Sequence, residues 1–574
     1  MPTLRRAHTA AGVLLALVVV ALCVPAMVLA AAQPRLIVGF APEATDASRT
    51  DTLGRAGLRG AKSTSIRPLR AVVVPVAAGQ LRATRARLLA RPGVAYVEVD
   101  HVAHAYDLDA SALDEAAATG VAAAWRPNDT FLSQQWSLAT LRAEEAWELS
   151  RGTGVTIAVV DTGVDYIHPD LAGRVDLGRD FVDGDDDPMD VQGHGTHVAG
   201  IAAGATDDGF GIAGMAPGSR ILAIRVLDAK GAGNYSQVAS GIVQAAQKGA
   251  KVINLSLGGP EQSELLRSAI DYAASRGAIV TCATGNESAA AIGYPARYES
   301  CIAVGATDSA DARAAFSNQG DGIDLVAPGA QVLSSTMGGS HEAWDGTSMA
   351  SPYVAGAAAL LVSQGLGRRA AVDALVTTAK DIGAPGYDTA TGNGRIDAAA
   401  ALQAGARAPR AASDTVAPTV ASISVGAPTR GATSRAKVVW RLRKRTGFVR
   451  VGTSDFLGSH SYSRTKVRGN TRTIDTFRFR GGVVYRSTVT QVKVRSVVRS
   501  ATATLPITVT ASDDAGVDRV SVQVDGSVKG VDWSAGDGWT VQVPCVAGAH
   551  TITAFAYDAS DNEASTAITQ RVSC

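Results

Sequence analysis

Two kinds of segment, which differ in the pattern of their apolar positions, follow one another along the middle of this 574-residue chain. Between about residues 127 and 405, short continuous apolar runs are separated by longer segments whose apolar positions recur at helical spacing. Strands that alternate with helices predict an α/β domain with a doubly wound parallel sheet covered on both faces. The predicted strands are 155–160, 221–227, 252–257, 278–284, 302–306 and 323–326, and the predicted helices are 234–248, 263–276 and 348–364.

A smaller unit precedes this domain. Strand-like runs at 36–40, 71–76 and 94–100, with a helix-like segment at 80–89, predict a compact α+β unit over residues 33–106. Residues 107–126 are rich in Ala and Asp and have no clear period, so we interpret them as a linker that holds a maturation site.

After residue 405 the pattern changes to short alternating strands, which predict β-sandwich-like modules. We place a linker at 406–416, a basic β-rich module at 417–505 and a final β-sandwich at 506–574. Between Arg435 and Arg499 the only acidic residues are Asp455 and Asp475. Such a stretch is consistent with a solvated Arg-rich β surface, or with binding to anionic wall polymers or nucleic acid. The final segment resembles bacterial immunoglobulin-like modules in its Asp525-Gly526 turn and its Tyr557-Asp558 ending.

Residues 1–32 have the composition of a targeting segment. A basic start at Arg5 and Arg6 leads into an apolar run that ends in small residues. This pattern predicts a cleaved secretory signal peptide and an extracellular protein, with cell-wall association as a further expectation. The length of the run is also compatible with a membrane anchor, but Pro25 and the Ala-rich end favour cleavage.

Composition adds two constraints. Hydrophobic residues make up 46% of the chain, which permits a large core, and the net charge of +1 argues against a nucleic-acid binder as a whole. Export permits disulfides. Cys545 and Cys574 flank the final β segment, where a disulfide between them could staple it, but the sequence leaves the pairing open. Cys282 and Cys301 lie in strand-like runs and are equally consistent with buried thiols.

Three short segments rich in small residues each present one reactive side chain. They are 158–163, 193–197 and 346–352, and they contribute Asp161, His194 and Ser348. A serine hydroxyl is a weak nucleophile until a base removes its proton, and that base needs a third group to fix its tautomer and orientation. Asp161 directly follows a predicted parallel strand, at the sheet edge where sites form.

In this order and with these flanks, the three segments resemble the subtilisin-like serine proteases, among them the thermitase-like branch. The resemblance implies a serine endopeptidase whose nucleophile is Ser348, and it implies that residues 33–106 are an inhibitory propeptide that the protease itself removes. An unrelated small α+β domain is the alternative for that unit. Thr284-Gly285-Asn286 resembles the Ala-Gly-Asn of the family, which implies that Asn286 and the Ser348 amide bind the oxyanion, although Asn after a strand is also common in turns.

The same resemblance implies how substrate binds. One strand pairs with an extended peptide, a second edge lies opposite, and a glycine forms the floor of a deep primary pocket. We therefore expect broad specificity, with large apolar residues favoured before the scissile bond. The implied substrate-binding residues are Ser256, Leu257, Gly258, Gly231, Gly233, Tyr235 and Gly293.

Two groups of acidic residues resemble calcium sites of the thermitase-like enzymes. Clustered carboxylates repel one another unless solvent or a hard cation neutralises them, so a solvated acidic loop is the alternative. Structural Ca²⁺ is the implied cofactor. The first group is Asp180, Asp183, Asp185 and Asp187, and the second is Asp129, Asp170 and Asp208 with the carbonyls of Ala205, Phe210 and Ile212.

Other classes of function are less consistent with the chain. His194 and His197 are three residues apart, but no third ligand follows at the spacing of a zinc protease. Val198 stands where some subtilisin-like enzymes have a cysteine. We expect a monomer without a nucleotide cofactor that acts on proteins or peptides and binds its own propeptide. The competing hypothesis is a non-catalytic surface-binding protein on a protease scaffold.

Overall fold

The computed structural model describes residues 33–41, 44–106 and 125–407, and within 419–572 it describes the strands given below together with Asp525 and Trp539. The predicted signal peptide, most of the predicted 107–126 linker, and Cys545 and Cys574 lie outside the described residues. None of the helices among these residues is both long and apolar enough to span a bilayer.

The first unit is an antiparallel four-stranded sheet with two helices on one face. Strand order in this sheet is β2 (Thr64–Ile66), β3 (Ala71–Pro75), β1 (Arg35–Phe40) and β4 (Val94–Val99). Because side chains alternate across a strand, Leu36 and Val38 face the helices while Ile37 and Val73 pack on the following domain. The elements are β1 (Arg35–Phe40), α1 (Asp46–Leu53), β2 (Thr64–Ile66), β3 (Ala71–Pro75), α2 (Leu81–Leu89), β4 (Val94–Val99) and β5 (Val102–Ala105).

The second unit alternates strands and helices from Trp136 to Arg407. Its elements are α3 (Trp136–Thr140), α4 (Ala143–Trp147), β6 (Thr156–Asp161), β7 (Val175–Asp180), α5 (His194–Ala203), β8 (Arg220–Arg225), β9 (Ala232–Asn234), α6 (Tyr235–Gln247), β10 (Val252–Leu255), β11 (Leu257–Gly258), α7 (Glu264–Ser275), β12 (Ile279–Ala283), β13 (Cys301–Thr307), β14 (Leu325–Pro328), β15 (Val332–Thr336), β16 (Ser340–Trp344), α8 (Thr347–Ser363), α9 (Arg368–Thr377) and α10 (Ala398–Arg407).

Seven of these strands form one parallel sheet in the order β14-β13-β12-β10-β6-β8-β7. Helices α5 and α8 pack on one face, and α6 and α7 pack on the other. Along β6, Ile157 and Val159 join the first layer while Ala158 and Val160 join the second, so both faces of the strand are buried. The predicted doubly wound α/β fold is confirmed.

Several elements of this domain are absent from the sequence prediction, and for β7 and α5 the physical reason is clear. Strand β7 lies at the sheet edge and mixes charged with apolar residues, so it lacks a continuous apolar run. Helix α5 is buried on all sides, so its sequence has no polar face and no amphipathic period. It begins at His194, one of the three reactive side chains.

The C-terminal region consists of antiparallel strands, and the predicted β-sandwich-like character of this region is confirmed. Strand β17 (Thr419–Val425) pairs with β24 (Thr504–Ser512) although the strands of residues 436–494 lie between them in sequence. The final unit packs Ile507 and Val541 of one sheet against Val522 and Ile552 of another. The strands are β17 (Thr419–Val425), β18 (Ala436–Leu442), β19 (Phe448–Asp455), β20 (Gly458–Lys466), β21 (Thr471–Phe477), β22 (Val483–Tyr485), β23 (Val489–Val494), β24 (Thr504–Ser512), β25 (Val517–Val524), β26 (Ser527–Asp532), β27 (Thr540–Pro544), β28 (Gly548–Asp558) and β29 (Glu563–Val572).

A disulfide joins Cys282 of β12 to Cys301 of β13, with 6.0 Å between their Cα atoms. These strands are neighbours in the parallel sheet, so Cys282 and Cys301 are close in space although 19 residues apart in sequence. Of the two alternatives that the sequence left open for this pair, the structure has the disulfide, and strand-like runs alone could not decide because they do not reveal which strands are adjacent.

Candidate active site

Asp161 and His194 meet beyond the carboxyl end of β6. Asp161 is the last residue of that strand, and its Oδ1 lies 2.7 Å from His194 Nδ1. The same oxygen accepts a hydrogen bond from the Thr162 amide at 2.7 Å. Burial raises the pKa of Asp161, and the charge and hydrogen bond of His194 oppose this rise. Such a pair fixes the imidazole ring and can stabilise its protonated form.

Ser348 is the second residue of α8, where the positive end of the helix dipole favours negative charge. Pro352 lies four residues further along and has no N–H, so it cannot bond to the Ser348 carbonyl. Ser256 takes this role, because its Oγ donates to the Ser348 carbonyl at 2.8 Å. Ser348 Oγ in turn donates to the Ser256 carbonyl at 2.9 Å. Because Pro352 leaves the Ser348 carbonyl free to accept from Ser256, these two hydrogen bonds connect the start of α8 to the residue between β10 and β11.

Asn286 follows β12 and lies beside Ser348. Its Oδ1 accepts from the Thr347 amide at 2.9 Å and from Thr347 Oγ1 at 2.9 Å, which fixes the amide group. Its Nδ2 therefore points away from the helix and donates to the carbonyl of Tyr106 at 2.8 Å. The amide of Tyr106 donates to Ser348 Oγ at 3.1 Å. Ser348 Oγ and Asn286 Nδ2 thus both contact the backbone of Tyr106, which sequence reasoning did not identify.

The segment before Tyr106 occupies a cleft as an added strand. Strand β5 pairs with β11 on one side, where Ala105 lies opposite Leu257, and with β9 on the other, where Ala103 lies opposite Gly233. The Ala105 amide also donates to the Gly231 carbonyl at 2.9 Å. The two predicted substrate edges therefore flank one extended chain. Ala103 is fully buried in the same apolar cluster as Tyr235 and Leu257.

The Tyr106 side chain enters a pocket beside Asn286. Gly258, Ile292, Gly293 and Arg297 are among its lining residues. A Cβ atom at Gly293 would lie 2.5 Å from the Tyr106 hydroxyl, so a side chain there would fill the end of the pocket. Burial raises the pKa of Tyr106, which keeps the phenol neutral.

Two acidic residues of the first unit cap helices of the second, which sequence reasoning also missed. Glu98 accepts from the amides of Glu264 and Leu265 at 2.9 and 3.1 Å, at the start of α7. Asp100 accepts from the Ser236 amide at 3.0 Å, at the start of α6. A carboxylate at a helix N-terminus satisfies free amides and interacts favourably with the helix dipole.

His197 does not take part in a metal cluster among the described residues. Its Nε2 lies 3.1 Å from the Glu342 carbonyl, and its ring stacks on Trp344 with 4.7 Å between ring centres. Burial lowers the pKa of His197 to about 3, so the ring stays neutral.

The three acidic residues of the predicted calcium group around Asp170 all lie in or contact the loop of residues 205–212. Asp129 accepts from the Asp207 amide at 2.9 Å, and Asp208 accepts from the Phe210 amide at 3.0 Å. Asp170 is fully buried, and its Oδ1 has no hydrogen-bond partner among the described residues. A Cβ atom at Gly211 would lie 1.9 Å from that oxygen, so this loop reaches Asp170.

Asp170 also forms a cluster with two histidines. His341 Nε2 lies 2.7 Å from Asp170 Oδ2, and His168 Nδ1 accepts from the Asp170 amide at 3.1 Å. The other ring nitrogen of His168 lies 3.1 Å from the Ser340 carbonyl. Both nitrogens of His168 are therefore engaged within the protein, and we interpret this cluster as a hydrogen-bond network.

The other acidic group is arranged around an arginine. Arg225 Nη1 lies 2.5 Å from Asp180 Oδ2 and 2.7 Å from Asp183 Oδ2. Asp185 accepts from the Asp187 amide at 3.0 Å, and Asp187 accepts from the Tyr166 hydroxyl at 2.9 Å. Arg225 offsets part of the carboxylate charge, which the sequence did not reveal.

Comparison with known proteins identifies the families of two parts of the chain. The model of the Subtilase family matches residues 152–394, and the model of the Bacterial Ig domain matches residues 488–554. The second match begins inside the predicted basic module. The thermophilic serine proteinase of Bacillus sp. (strain AK1) is 50% identical over 266 residues, which cover 46% of this chain and 66% of that protein.

Two further relatives extend the comparison. Thermitase of Thermoactinomyces vulgaris is 46% identical over 280 residues, 49% of this chain and 100% of thermitase. Subtilisin E of Bacillus subtilis (strain 168) is 41% identical over 278 residues, 48% of this chain and 66% of subtilisin E. The matched region defines a serine proteinase domain followed by an immunoglobulin-like domain. The chain belongs to the subtilase family, as its motifs predict.

Proposed function

We propose that this chain is a secreted serine endopeptidase of broad specificity, made as a zymogen that cleaves itself after Tyr106. The observation that carries the proposal is the position of the Tyr106 backbone. Its amide lies 3.1 Å from Ser348 Oγ and its carbonyl oxygen lies 2.8 Å from Asn286 Nδ2. A peptide held by both groups has the arrangement of a substrate before acyl transfer.

The reaction follows from the chemistry of these groups. Ser348 Oγ leaves the Ser256 carbonyl and attacks the Tyr106 carbonyl carbon, while His194 accepts the hydroxyl proton. Asp161 stabilises the imidazolium, and Asn286 donates to the developing oxyanion. The C–N bond to Asp107 then breaks as His194 protonates the leaving amine. Water hydrolyses the acyl-enzyme by the same steps in reverse order, and Ser348 is regenerated.

Specificity follows from the segment that fills the cleft. Main-chain pairing with β9 and β11 depends little on sequence, which supports broad specificity. The pocket that ends at Gly293 takes the Tyr106 side chain, which supports a preference for large apolar or aromatic residues before the scissile bond. Ala103 lies in the apolar cluster of Tyr235, which supports a second, smaller apolar subsite.

The first unit has the contacts of an inhibitory propeptide. Its sheet contributes Ile37, Ile66 and Val73 to the cluster that contains α6 and α7. Glu98 and Asp100 add charged hydrogen bonds at the ends of those helices. After cleavage these contacts would hold the released segment in the cleft, so that residues 33–106 act as a product inhibitor.

Self-processing is tested with the full secreted chain and Ser348→Ala. The parent should react with a fluorophosphonate at Ser348 and give a new N-terminus at Asp107, whereas Ser348→Ala should do neither. Ser363→Ala, at the other end of α8, is the matched control and should behave as the parent. Processing of purified Ser348→Ala without added protease would contradict the proposal. An inert parent would favour the non-catalytic alternative.

We further propose that structural Ca²⁺ binds at Asp170. The unpartnered, fully buried Asp170 Oδ1 fits a hard cation, and the loop held by Asp129 and Asp208 offers the carbonyls of Ala205, Phe210 and Ile212. The second proposed group, Asp180, Asp183, Asp185 and Asp187, has the same ligand chemistry, but Arg225 already compensates part of its charge.

The calcium proposal predicts that a chelator lowers the thermal midpoint of the mature enzyme and that millimolar Ca²⁺ restores it. At 100 times its dissociation constant a ligand stabilises the native state by about 2.7 kcal/mol. Asp170→Asn should abolish this response in calorimetry, whereas Asp176→Asn, which removes an exposed partner of Arg220, should retain it. Identical midpoints of the parent with chelator and with Ca²⁺ would show that the acidic groups are solvated only.

A further inference from the structure

Asp190 is a buried carboxylate that the reaction steps above do not use. It lies in the loop before α5 and is 4% exposed. Oδ1 accepts from Thr162 Oγ1 at 2.8 Å, from the Gln192 amide at 2.9 Å and from the Gly193 amide at 2.9 Å. Oδ2 accepts from the Thr196 amide at 2.9 Å and from Thr196 Oγ1 at 2.5 Å. Five donors surround it, and an ionised carboxylate is the form that can accept from all of them.

These donors belong to the segments that carry the base and its carboxylate. Thr162 directly follows Asp161, and Gly193 and Thr196 flank His194 on both sides. Thr162 Oγ1 also accepts from the Gly195 amide at 2.9 Å, which adds a second connection between the end of β6 and the start of α5. The relative position of Asp161 and His194 is therefore fixed through Asp190.

The negative charge of Asp190 also acts electrostatically on the Asp161–His194 pair. Among the described ion pairs, none neutralises Asp190. Burial is the main cause of the raised pKa of Asp161, and the negative charge of Asp190 adds to it. Since a negative charge that disfavours a second carboxylate favours a nearby cation, the same charge favours the protonated form of His194.

Other titratable groups around His194 do not supply this charge. His197, on the same helix, is neutral. Glu342 of β16 is exposed and accepts from Trp344 Nε1 at 2.8 Å, where solvent screens its charge. Asp165 is buried, its carboxylate accepts from the amides of Ile167 and Gly338, and its contact with Thr196 is made by its backbone amide. Among the described residues, Asp161 and Asp190 are therefore the two buried carboxylates that form hydrogen bonds with residues 193–196.

We propose that Asp190 is a positioning residue for the Asp161–His194 pair, and that its negative charge stabilises protonated His194 and so sets the acidic limit of activity. The inference rests on the proposed endopeptidase function. It predicts that the charge and the hydrogen bonds of Asp190 have separable effects on the reaction. Loss of the charge should lower the pKa of the acidic limb of kcat/KM, and loss of the geometry should lower kcat.

The experiment compares Asp190→Asn with Asp190→Glu in the full chain, matured and counted by fluorophosphonate labelling. For Asp190→Asn the acidic-limb pKa should fall by roughly 0.3 to 1 unit, because a charge in a partly desolvated site is removed. Its kcat should fall on the order of tenfold or more, with a smaller change in KM. Asp190→Glu retains the charge, so it should lose kcat while its acidic-limb pKa stays within about 0.2 unit of the parent.

The matched control is Asp388→Asn. Asp388 also holds a loop, because it accepts from the amides of Ala384, Ala390 and Thr391 and from Thr391 Oγ1. This variant should lose stability but keep the parental pH profile. An unchanged acidic-limb pKa in Asp190→Asn, or an equal shift in Asp388→Asn, would overturn the electrostatic part of the proposal. An unchanged kcat in Asp190→Asn would overturn the positioning part.

If neither Asp190 variant folds, Thr162→Val carries the test. It removes the hydroxyl that joins Asp190 to the Gly195 amide and leaves the charge in place. Its kcat should fall while the pKa of the acidic limb stays unchanged, and a parental kcat would overturn the proposal.

Failure of the proposed function is distinguishable from failure of this inference, because a protein without that function would not react with the fluorophosphonate at Ser348. In that case the NMR titration of His194 in the Asp190 variants still decides whether the charge acts on the base.

Discussion

At the scale of single residues, each side chain of the site makes a hydrogen bond to the protein that fixes the orientation of its reactive group. Asn286 can aim its Nδ2 at the Tyr106 carbonyl because Thr347 holds its Oδ1. Ser348 lies at the start of a helix, and its carbonyl accepts a hydrogen bond from Ser256 Oγ because Pro352 has no amide hydrogen to donate. Each reactive group is thus held in one orientation before substrate binds, which lowers the cost of reaching the transition state.

Asn286→Ala should lower kcat by roughly a hundred- to a thousand-fold with little change in KM, because the donor acts most strongly on charge that develops in the transition state. Steady-state hydrolysis of a peptide with Tyr before the scissile bond measures both constants. Asn393→Ala is the control, since that side chain donates to the Asp324 carbonyl away from the cleft. A loss mainly in KM would mean that Asn286 binds the ground state.

Which residues the sequence reveals depends on how local their signal is. Asp161, His194 and Ser348 are recognisable because each lies in its own short run of small residues. Tyr106 is not, because its partner Ser348 is 242 positions away and nothing around Tyr106 marks the contact. Asp190 and Arg225 were missed for the same reason, since each acts through neighbours from several elements.

At the scale of elements, the sequence predicts strands that are continuous apolar runs. It does not predict a helix that has no polar face, because such a helix lacks an amphipathic period. Strand β12 was predicted at 278–284 and is found at Ile279–Ala283, because a buried parallel strand is apolar on both sides. Helix α5 was not predicted, because a helix buried on all sides has no polar face. The Cys282–Cys301 disulfide depends on strand order, which apolar runs do not define.

The contact between the first unit and helix α7 gives a test at this scale. Glu98→Ala should weaken inhibition by residues 33–106 about tenfold, because α7 loses a carboxylate that accepts from two amides and from Ser263 Oγ. The measurement is the rate at which activity appears after cleavage of the precursor. Asp51→Ala removes an exposed acid of α1 that pairs with Arg55, and this control should show the parental rate. Equal rates for both variants would contradict a role of helix capping in inhibition.

At the scale of the whole molecule, the chain combines a proteinase domain with a β-rich region. The final sandwich has its own core, formed by residues such as Ile507, Val522 and Ile552. Its strand β17 precedes the basic strands β18–β23 in sequence but pairs with β24 after them. The basic segment therefore lies between two paired strands of the sandwich, which a division of the sequence by composition at residue 505 did not anticipate.

We expect the C-terminal region to be dispensable for peptide hydrolysis but required for surface attachment. Helix α10 ends at Arg407 and packs Ala398 and Leu402 into the proteinase core, so a chain that ends there keeps its whole α/β domain. Its kcat/KM on a small peptide should stay within about twofold of the full chain, because the proposed triad, cleft and pocket all lie before Arg407.

Attachment is measured by sedimentation of both proteins with purified anionic cell-wall polymer at low and high salt. The full chain should bind more strongly at low salt, because the excess of basic residues between Arg435 and Arg499 attracts anionic polymers through interactions that salt screens. A neutral polysaccharide is the control and should bind neither protein. Loss of hydrolysis in a folded shortened chain would show that the β-rich region helps to build the site. Equal and salt-insensitive binding by both chains would show that the basic segment is only a solvated surface.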